Sequence, residues 1–374
     1  MCTHRRRSLL VAFLFRAGFI CVASGFLCNP LGRKTPPRAV QSLLSESLTP
    51  QFGLYEVQEE MLVKRGKLEE DLMKDNIQEL KVGKSKRSGG GRGFGGGGSA
   101  SKRKNFEMEA KVHASELKRN GVVRIDNVLD QKIIEPLRTY AYQRRAASAQ
   151  IGGDNRFADV LLRENRCDLL LPLGEPIVAK AVHHVLEDSV VAATIERCIG
   201  DNAVLHELSC LISDSGSNRQ VIHPDTPQKG DGKAPTLLTC FIALQDISLD
   251  MGPTTFLPGT HKPAAHKSFF DDSQKDEFLA SARASMATLS AGSAALFDSR
   301  VLHAGTANRS SQPRSIFYFS FRSSRHLHTG NPPSIRSDLA DRQVPLNGLM
   351  EKLTGIHELG ERNDFVRDVD ENSD

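Results

Sequence analysis

Two histidines and one aspartate have the spacing of a metal-binding set. His223 and Asp225 lie two residues apart, and His303 comes from a separate part of the chain. In a β-strand, side chains at positions i and i+2 point to the same side, so His223 and Asp225 could share one metal ion. Two imidazoles and one carboxylate are the ligand set of non-heme Fe(II) oxygenases. The sequence therefore predicts that these three residues bind Fe(II) and form the catalytic centre.

A cation follows this set at a workable distance. Arg314 lies eleven residues after His303. The intervening stretch 304–313 is rich in turn formers and is followed by β-branched and aromatic residues, which predicts a hairpin that returns as a strand opening at Arg314. A guanidinium can hold a carboxylate through two parallel hydrogen bonds. Such a cation would suit a dicarboxylate co-substrate such as 2-oxoglutarate.

The His-x-Asp pair is weak by itself. In a chain with 12 histidines, ordinary composition gives about half of one such pair by chance. The alternative interpretation is a surface-loop histidine beside a Pro-Asp turn. His303, Arg314 and the strand-like segments between them favour the metal site.

Three runs around these residues resemble a known family. They are QVIHPDTPQ, LLTCFIALQDISLDMGPTTFLPGTH and SAALFDSRVLHAGTANRSSQPR. They are similar to the phytanoyl-CoA dioxygenase family of Fe(II)- and 2-oxoglutarate-dependent oxygenases, and the similarity spans roughly residues 115–323. The resemblance implies a double-stranded β-helix core, iron bound by His223, Asp225 and His303, and Arg314 on the distal carboxylate of 2-oxoglutarate.

Phe241 departs from the pattern of that family. It occupies a position where members often carry Trp near the co-substrate, and this chain has no Trp. The resemblance therefore makes Phe241 a candidate co-substrate contact with a changed side chain. Asp225, in contrast, is intact, whereas related halogenases carry a small residue there so that chloride can bind iron.

The resemblance also implies a reaction. A dioxygenase of this kind would use O2 and 2-oxoglutarate, with ascorbate as reductant, and would release succinate and CO2 while hydroxylating a small-molecule or acyl-type substrate. No residue decides which substrate is used. Two other interpretations stay open: a non-catalytic β-helix scaffold, and an interaction protein that uses its N-terminal helix and basic Gly-rich arm.

Charge is divided unevenly along the chain. Residues 1–105 carry 19 Lys and Arg against 9 Asp and Glu, so the remainder is net negative although the whole chain is +4. A basic nucleic-acid-binding face on the globular part is therefore not expected, although a local basic patch stays open. The family resemblance implies a small-molecule partner. The seven cysteines form no Cys-x-x-Cys motif, which argues against a zinc or redox site.

The N-terminus has the composition of a targeting leader, assigned to residues 1–50. Residues 1–45 contain no acidic residue and begin with an arginine cluster, and Arg16 breaks an apolar stretch that is too short to span a membrane. A signal peptide followed by a transit-like segment is indicated. It resembles the bipartite leaders of algae with complex plastids, with Phe26 after the cleavage point. A plastid is therefore expected, with the mitochondrion and the secretory pathway as alternatives.

Composition divides the rest into three parts. Residues 51–105 are predicted to hold one amphipathic helix and a flexible linker rich in Gly, Lys and Arg. Residues 106–325 are predicted to form the dioxygenase domain. Residues 326–374 are predicted to form a polar C-terminal tail.

Helical patterns precede β-rich runs within the domain. A helix ending at Gly121, a strand after it, a helix entered near Asp130 and further helix over 174–199 are predicted. Strands are predicted over residues 203–213, 219–225, 236–246, 253–257, 293–298 and 314–322. A polar helix-like piece is predicted inside 262–290, where it could cover a site. The expected fold is α+β, a double-stranded β-helix (jelly-roll, cupin-like) core flanked by helices.

Overall fold

The computed structural model describes residues 62–81, 98–150, 165–227, 234–325, 344–349 and 353. The predicted leader, including Phe26, lies outside the described residues, as do most of the predicted linker and most of the tail. No described helix is long and apolar enough to cross a membrane.

Strands carry most of the second half of the described chain. Their bounds are as follows: β1 Ile77–Glu79, β2 Val122–Ile125, β3 Arg166–Leu170, β4 Val204–Ser213, β5 Leu237–Ala243, β6 Thr254–Phe256, β7 Ala284–Met286, β8 Ala294–Asp298, β9 His303–Gly305 and β10 Arg314–Arg322.

Helices precede these strands and also interrupt them. The first is α1 over residues 62–73, which runs into a 3-10 turn at Lys74–Asn76. The remaining helices are these: α2 Gly98–Asn120, α3 Gln131–Gln150, α4 Pro176–Glu187, α5 Val191–Ile199, α6 Pro263–Phe270 and α7 Lys275–Ser281.

The strands form two sheets that face each other. The large sheet has the order β2-β8-β5-β10-β4-β3 with antiparallel neighbours. The small sheet has the order β1-β7-β6-β9, antiparallel except where β1 lies parallel to β7. From β5 onward the chain passes back and forth between the two sheets, which is the connectivity of a jelly roll. The predicted α+β fold with a double-stranded β-helix core is confirmed.

Alternation along β10 shows how the layers pack. Phe317, Phe319 and Phe321 belong to the core that α3, α4 and α5 build against the outer face of the large sheet. Ile316 and Tyr318 belong to a second core between the sheets. Because successive strand residues point to opposite faces, one strand supplies both cores.

A third core covers the outer face of the small sheet. It joins Met73 of α1, Phe269 of α6 and Leu279 of α7 to Ile222 and Leu257 below them. The segment 262–290 thus contributes α6, α7 and β7, and α7 lies where a polar helix-like piece was predicted. Phe269 and Leu279 are its buried contacts with this core.

Gly121 ends α2 as the sequence predicts. Its φ is +75°, and a Cβ atom there would lie 2.2 Å from Val301 Cγ2. Both the left-handed backbone and the close approach favour glycine. The chain can then turn directly into β2.

Two predictions about strands are wrong. Residues 304–313 do not form a hairpin, because β9 pairs with β6 in the small sheet while β10 pairs with β4 and β5 in the large one. Residues 219–225 do not form a regular strand: within the described chain they make one isolated bridge, between His223 and His303. Sequence periodicity indicates an extended backbone but does not say which edge it pairs with.

Candidate metal centre

The three predicted ligands lie together between the two sheets. Asp225 Oδ1 is 3.8 Å from His223 Nε2 and 3.6 Å from His303 Nε2. One ligand atom from each residue lies within 4.8 Å of the other two. His303 is almost fully buried, while His223 and Asp225 keep partly exposed side chains. Solvent and small molecules can therefore reach the set from one side.

The backbone places the two histidines side by side. The amide N–H of His223 donates to the His303 carbonyl at 3.0 Å, and that of His303 donates to the His223 carbonyl at 2.9 Å. This exchange sets their ring centroids 4.6 Å apart. Asp225 follows at a bend after Pro224. The predicted i, i+2 partnership is thus reached by one bridge and a bend rather than by a continuous strand.

Each imidazole is held in one tautomer. His223 Nδ1 lies 2.8 Å from the Val221 carbonyl, and His303 Nδ1 lies 2.9 Å from the Val301 carbonyl. A carbonyl oxygen can only accept, so Nδ1 carries the proton in both rings. Both Nε2 atoms then present a lone pair toward Asp225, as metal coordination requires.

Burial keeps both imidazoles neutral. It lowers the pKa of His303 to about 4. It also lowers the pKa of His223, where the neighbouring His303 acts in the same direction and Asp225 opposes it. Neutral imidazole is the form that binds metal ions.

The donor set fits a divalent iron ion. With metal–ligand bonds of about 2.1 Å, donors on one face of an octahedron lie about 3 Å apart. The Nε2–Oδ1 separations of 3.6 and 3.8 Å therefore need only a small contraction. One carboxylate would neutralise one of the two metal charges.

Arg314 is the first residue of β10 and is fully buried. One terminal nitrogen donates to the Gly252 carbonyl, and the other donates to Ser213 Oγ at 2.9 Å. Its Nε has no hydrogen-bond partner among the described residues. Burial, reinforced by the nearby Arg166, lowers the pKa of Arg314 to about 9.

Arg166 is a second buried cation that sequence reasoning missed. It opens β3, and its guanidinium donates to Ser213 Oγ at 2.8 Å and to the Thr306 carbonyl at 3.3 Å. Burial lowers its pKa to about 10. Arg166 and Arg314 thus meet at one hydroxyl, and no described carboxylate lies within salt-bridge distance of either. No motif marked Arg166, because β3 was not predicted.

Two buried guanidiniums that lack a carboxylate partner among the described residues have a chemical consequence. Burying a charge without a partner is costly, so such pairs persist where an anion binds. Arg314 and Arg166 together match a carboxylate, which accepts several charge-assisted hydrogen bonds. Arg166 thus places a second guanidinium donor beside Arg314.

A family model agrees with these observations. The model for phytanoyl-CoA dioxygenase (PhyH) matches residues 117–316, more than half of the chain. The chain belongs to the PhyH family. The matched region contains the metal set and both arginines, and membership supports a general oxygenase role.

Individual relatives are distant. An uncharacterized protein of Saccharomyces cerevisiae, YJR154W, is 26% identical over 182 residues, 45% of this chain and 51% of the yeast protein. The chain thus spans about half the length of the curated relative that it matches. Among solved structures, the α-ketoglutarate-dependent epimerase SnoN of nogalamycin biosynthesis is 19% identical, covers 61% of this chain and 88% of its own, and has a TM-score of 0.39. The carbocyclase SnoK of the same biosynthesis is 16% identical, with 63% and 91% covered and a TM-score of 0.41.

Phe241 lines the interior of the PhyH barrel. It lies on β5 directly opposite Tyr318 of β10. Its ring centroid is 4.9 Å from that of Phe297, whose ring is 5.2 Å from His303. Phe241 therefore lies one ring away from His303 of the candidate metal set.

The barrel wall near Phe241 is polar. Tyr318 Oη donates to Asp168 at 2.8 Å, and Ser320 Oγ donates to Glu207 at 2.5 Å. Thr239 lies opposite Ser320 with a buried hydroxyl that has no partner among the described residues. These side chains share the inward face, because directly paired residues of neighbouring strands point the same way.

The interior is open to solvent along this wall. Asp168, Leu170, Leu211 and Phe241 are partly exposed, whereas the neighbours that alternate with them on the same strands are buried. All four are on the inward face of the large sheet. Solvent therefore reaches this part of the inward face of the large sheet.

Proposed function

We propose that the protein is an Fe(II)- and 2-oxoglutarate-dependent dioxygenase that hydroxylates its substrate and releases succinate and CO2. The observation that carries the proposal is the presence, in one barrel, of a three-residue metal set and a pair of buried arginines for which the described part of the chain provides no carboxylate partner. PhyH membership supports the same class of enzyme. A scaffold or interaction protein has no need for either feature.

Each residue has a defined task in this proposal. His223, Asp225 and His303 hold the ion through two neutral nitrogens and one carboxylate oxygen. Arg314 and Arg166 bind the distal carboxylate of 2-oxoglutarate and so orient it. When bound, iron supplies the activation of O2 that couples oxidation of 2-oxoglutarate to oxidation of the substrate. Ascorbate would keep the ion reduced.

Asp225 favours hydroxylation over halogenation. Its carboxylate would take one coordination position of a bound ion and would supply a negative charge. The related halogenases leave that position to chloride. With Asp225 in place, oxygen insertion is the outcome that the ligand set supports.

The inward face of the large sheet favours a polar substrate over a plain acyl chain. Asp168, Glu207 and the hydroxyls of Tyr318, Ser320 and Thr239 lie on one side of the interior. An acyl chain would take the partly exposed Asp168 out of contact with solvent and would offer no hydrogen bond to the Thr239 hydroxyl, which has no partner among the described residues, and both effects cost free energy. A small molecule with several hydrogen-bonding groups is therefore the substrate class that we propose.

The experiment is direct. The full chain is loaded anaerobically with Fe(II) and supplied with O2, ascorbate and 2-oxoglutarate, and succinate is measured by mass spectrometry. We expect slow succinate formation without substrate, and faster formation with a matching polar metabolite. The His303→Ala variant is the matched control and should form none. A folded, iron-loaded wild-type chain that makes no succinate would exclude the enzyme and favour the scaffold interpretation.

A further inference from the structure

An N-terminal segment outside the family-matched region packs against the metal centre. Residues 62–81 precede the match to residues 117–316. Met73 of α1 is fully buried beside Ile222. A Cβ atom at Gly66 would lie 2.9 Å from the Arg219 carbonyl, so the helix backbone touches the chain just before His223. Downstream, β1 extends the small sheet by pairing with β7.

This segment covers an open edge of the small sheet. The His223 amide points to β9, where it donates to the His303 carbonyl. Adjacent amides of an extended chain point to opposite sides, so the Ile222 amide points away from β9. Within the described residues no strand lies there. Instead, Glu69 of α1 accepts from the Ile222 amide at 2.6 Å.

The hydrogen bond from Ile222 continues to a metal ligand. The Ile222 amide and the Val221 carbonyl belong to the same peptide unit, and that carbonyl accepts from His223 Nδ1 at 2.8 Å. The Glu69 carboxylate therefore polarises a peptide that in turn polarises the imidazole. Such carboxylate relays orient a ligating histidine and raise its basicity.

His303 has an equivalent relay without charge. Its Nδ1 donates to the Val301 carbonyl, and the amide of the same peptide, Leu302, donates to Thr260 Oγ1 at 2.9 Å. Both ligating imidazoles are thus fixed through one peptide by one side chain. The partner of His303 is a neutral hydroxyl, and that of His223 is a carboxylate.

Glu69 is built into the protein interior. Its side chain is 0% exposed. Arg65 Nε lies 3.0 Å and Lys275 Nζ 3.5 Å from Glu69 Oε1, so the buried charge is compensated while the other oxygen stays on Ile222. Lys275 is itself held over the Phe269 ring at 4.4 Å. Three elements therefore fix the carboxylate.

We propose that Glu69 is a positioning residue of the metal centre, acting on His223 through the Val221–Ile222 peptide. The segment 62–81 is then part of the site rather than an appendage. The inference rests on the metal-binding half of the proposed function and needs neither 2-oxoglutarate nor turnover.

Cobalt binding to the full chain tests it. Co(II) affinity and the Co(II) visible spectrum are compared for wild type, Glu69→Gln and Glu70→Gln. Glu69→Gln should weaken Co(II) binding about tenfold and shift the spectrum. Glu70→Gln removes the same charge one residue away, from a carboxylate paired with Arg309 at 3.2 Å, and should change affinity less than about twofold. Equal losses of Co(II) affinity in the two variants, or no loss in Glu69→Gln, would overturn the proposal.

A double variant distinguishes two explanations for weaker Co(II) binding in Glu69→Gln. Either Glu69 acts on His223 through the Val221–Ile222 peptide, or it only balances the charge of Lys275. Glu69→Gln with Lys275→Met removes the unpaired cation that the single variant leaves buried. If Glu69 acts through the peptide, the double variant should bind Co(II) as weakly as Glu69→Gln does. Recovery of wild-type affinity would mean that the carboxylate only balances Lys275.

The wild-type chain provides a test that needs no variant. If docking of α1 favours metal binding, metal binding must stabilise docking by the same free energy. Hydrogen exchange of peptides from residues 62–73, followed by mass spectrometry, should slow when Zn(II) is added. Unchanged exchange in the metal-saturated chain would contradict the proposal, even if Glu69→Gln fails to fold. Because no O2 is used, this result is independent of whether succinate is formed.

Discussion

Replacing Arg314 by Met should have opposite effects on stability and on 2-oxoglutarate binding. Burial and the charge of Arg166 lower the pKa of Arg314 from 12.5 to about 9. The folded value lies below the unfolded one, so at neutral pH the folded protein disfavours the charge that it carries. Removing that charge should therefore stabilise the anion-free protein.

The magnitude follows from this difference. The gap between 12.5 and about 9 corresponds to roughly 5 kcal/mol, at about 1.4 kcal/mol for each tenfold change in protonation. The variant also leaves the Gly252 carbonyl without its donor, which costs about 1–3 kcal/mol. A net gain of roughly 2 kcal/mol or more in the free energy of unfolding is expected.

The affinity of Arg314→Met for 2-oxoglutarate, in contrast, should fall. Loss of a buried, charge-assisted contact costs roughly 2–5 kcal/mol, which is at least about a 30-fold loss of affinity. Arg166→Met should act in the same direction. Metal affinity should stay unchanged in both variants, because neither arginine contacts the metal ligands.

The assay combines calorimetry and thermal unfolding. Titration of 2-oxoglutarate into Zn(II)-loaded protein gives affinity, and melting of the metal-free protein gives stability. Arg145→Met is the matched control: Arg145 is partly exposed and paired with Asp214 at 2.8 Å. Its removal should lower stability slightly and leave 2-oxoglutarate affinity intact. If Arg314→Met retains affinity, or loses stability as Arg145→Met does, the anion-site reasoning is refuted.

Three further results are expected. Asp225→Asn should lower Fe(II) affinity and abolish coupled turnover. Asp225→Gly with added chloride should regain metal binding without hydroxylation. Wild-type Fe(II) affinity and succinate formation in Asp225→Asn would show that Asp225 is not a ligand. Phe241→Trp would introduce the only Trp of the chain, and its fluorescence should change when 2-oxoglutarate binds the metal-loaded protein; a silent Trp would place the co-substrate elsewhere. A fluorescent fusion of residues 1–50 should enter a plastid in an alga with complex plastids, and Phe26→Ala should divert it; cytosolic fluorescence would contradict the targeting prediction.

The metal set could be found from sequence because its chemistry is local. The spacing of His223 and Asp225 restricts where their side chains can point, and His303 needs only to reach the same place. Arg314 was identified at a strand start because turn formers give way there to β-branched and aromatic residues. The same patterns placed β4, β5, β6, β8 and β10 correctly. The roles of His223, Asp225 and His303 as iron ligands, and of Arg314 as a 2-oxoglutarate ligand, stay predictions.

What sequence reasoning missed depends on distant pairings. The false hairpin before β10 arose because periodicity does not assign a strand to a sheet. Arg166 and Arg314 meet only because β3 and β10 both flank β4. Glu69 and Ile222 are 153 residues apart. No local pattern brings such residues together, so only the folded chain reveals them.

The predicted amphipathic helix shows where the pattern was misleading. An amphipathic helix was predicted within residues 51–105, and the apolar stripe of such a helix is usually only a packing surface. In the structure α1 buries Met73 and Glu69 on one face, whereas its Leu68 is 43% exposed, so apolar residues alone do not define the buried face. A carboxylate is retained in an interior only where it is paired and hydrogen-bonded. Its two cations and the Ile222 amide satisfy that condition, and the amide leads to His223. The buried charge, rather than the apolar stripe, therefore connects this helix to function.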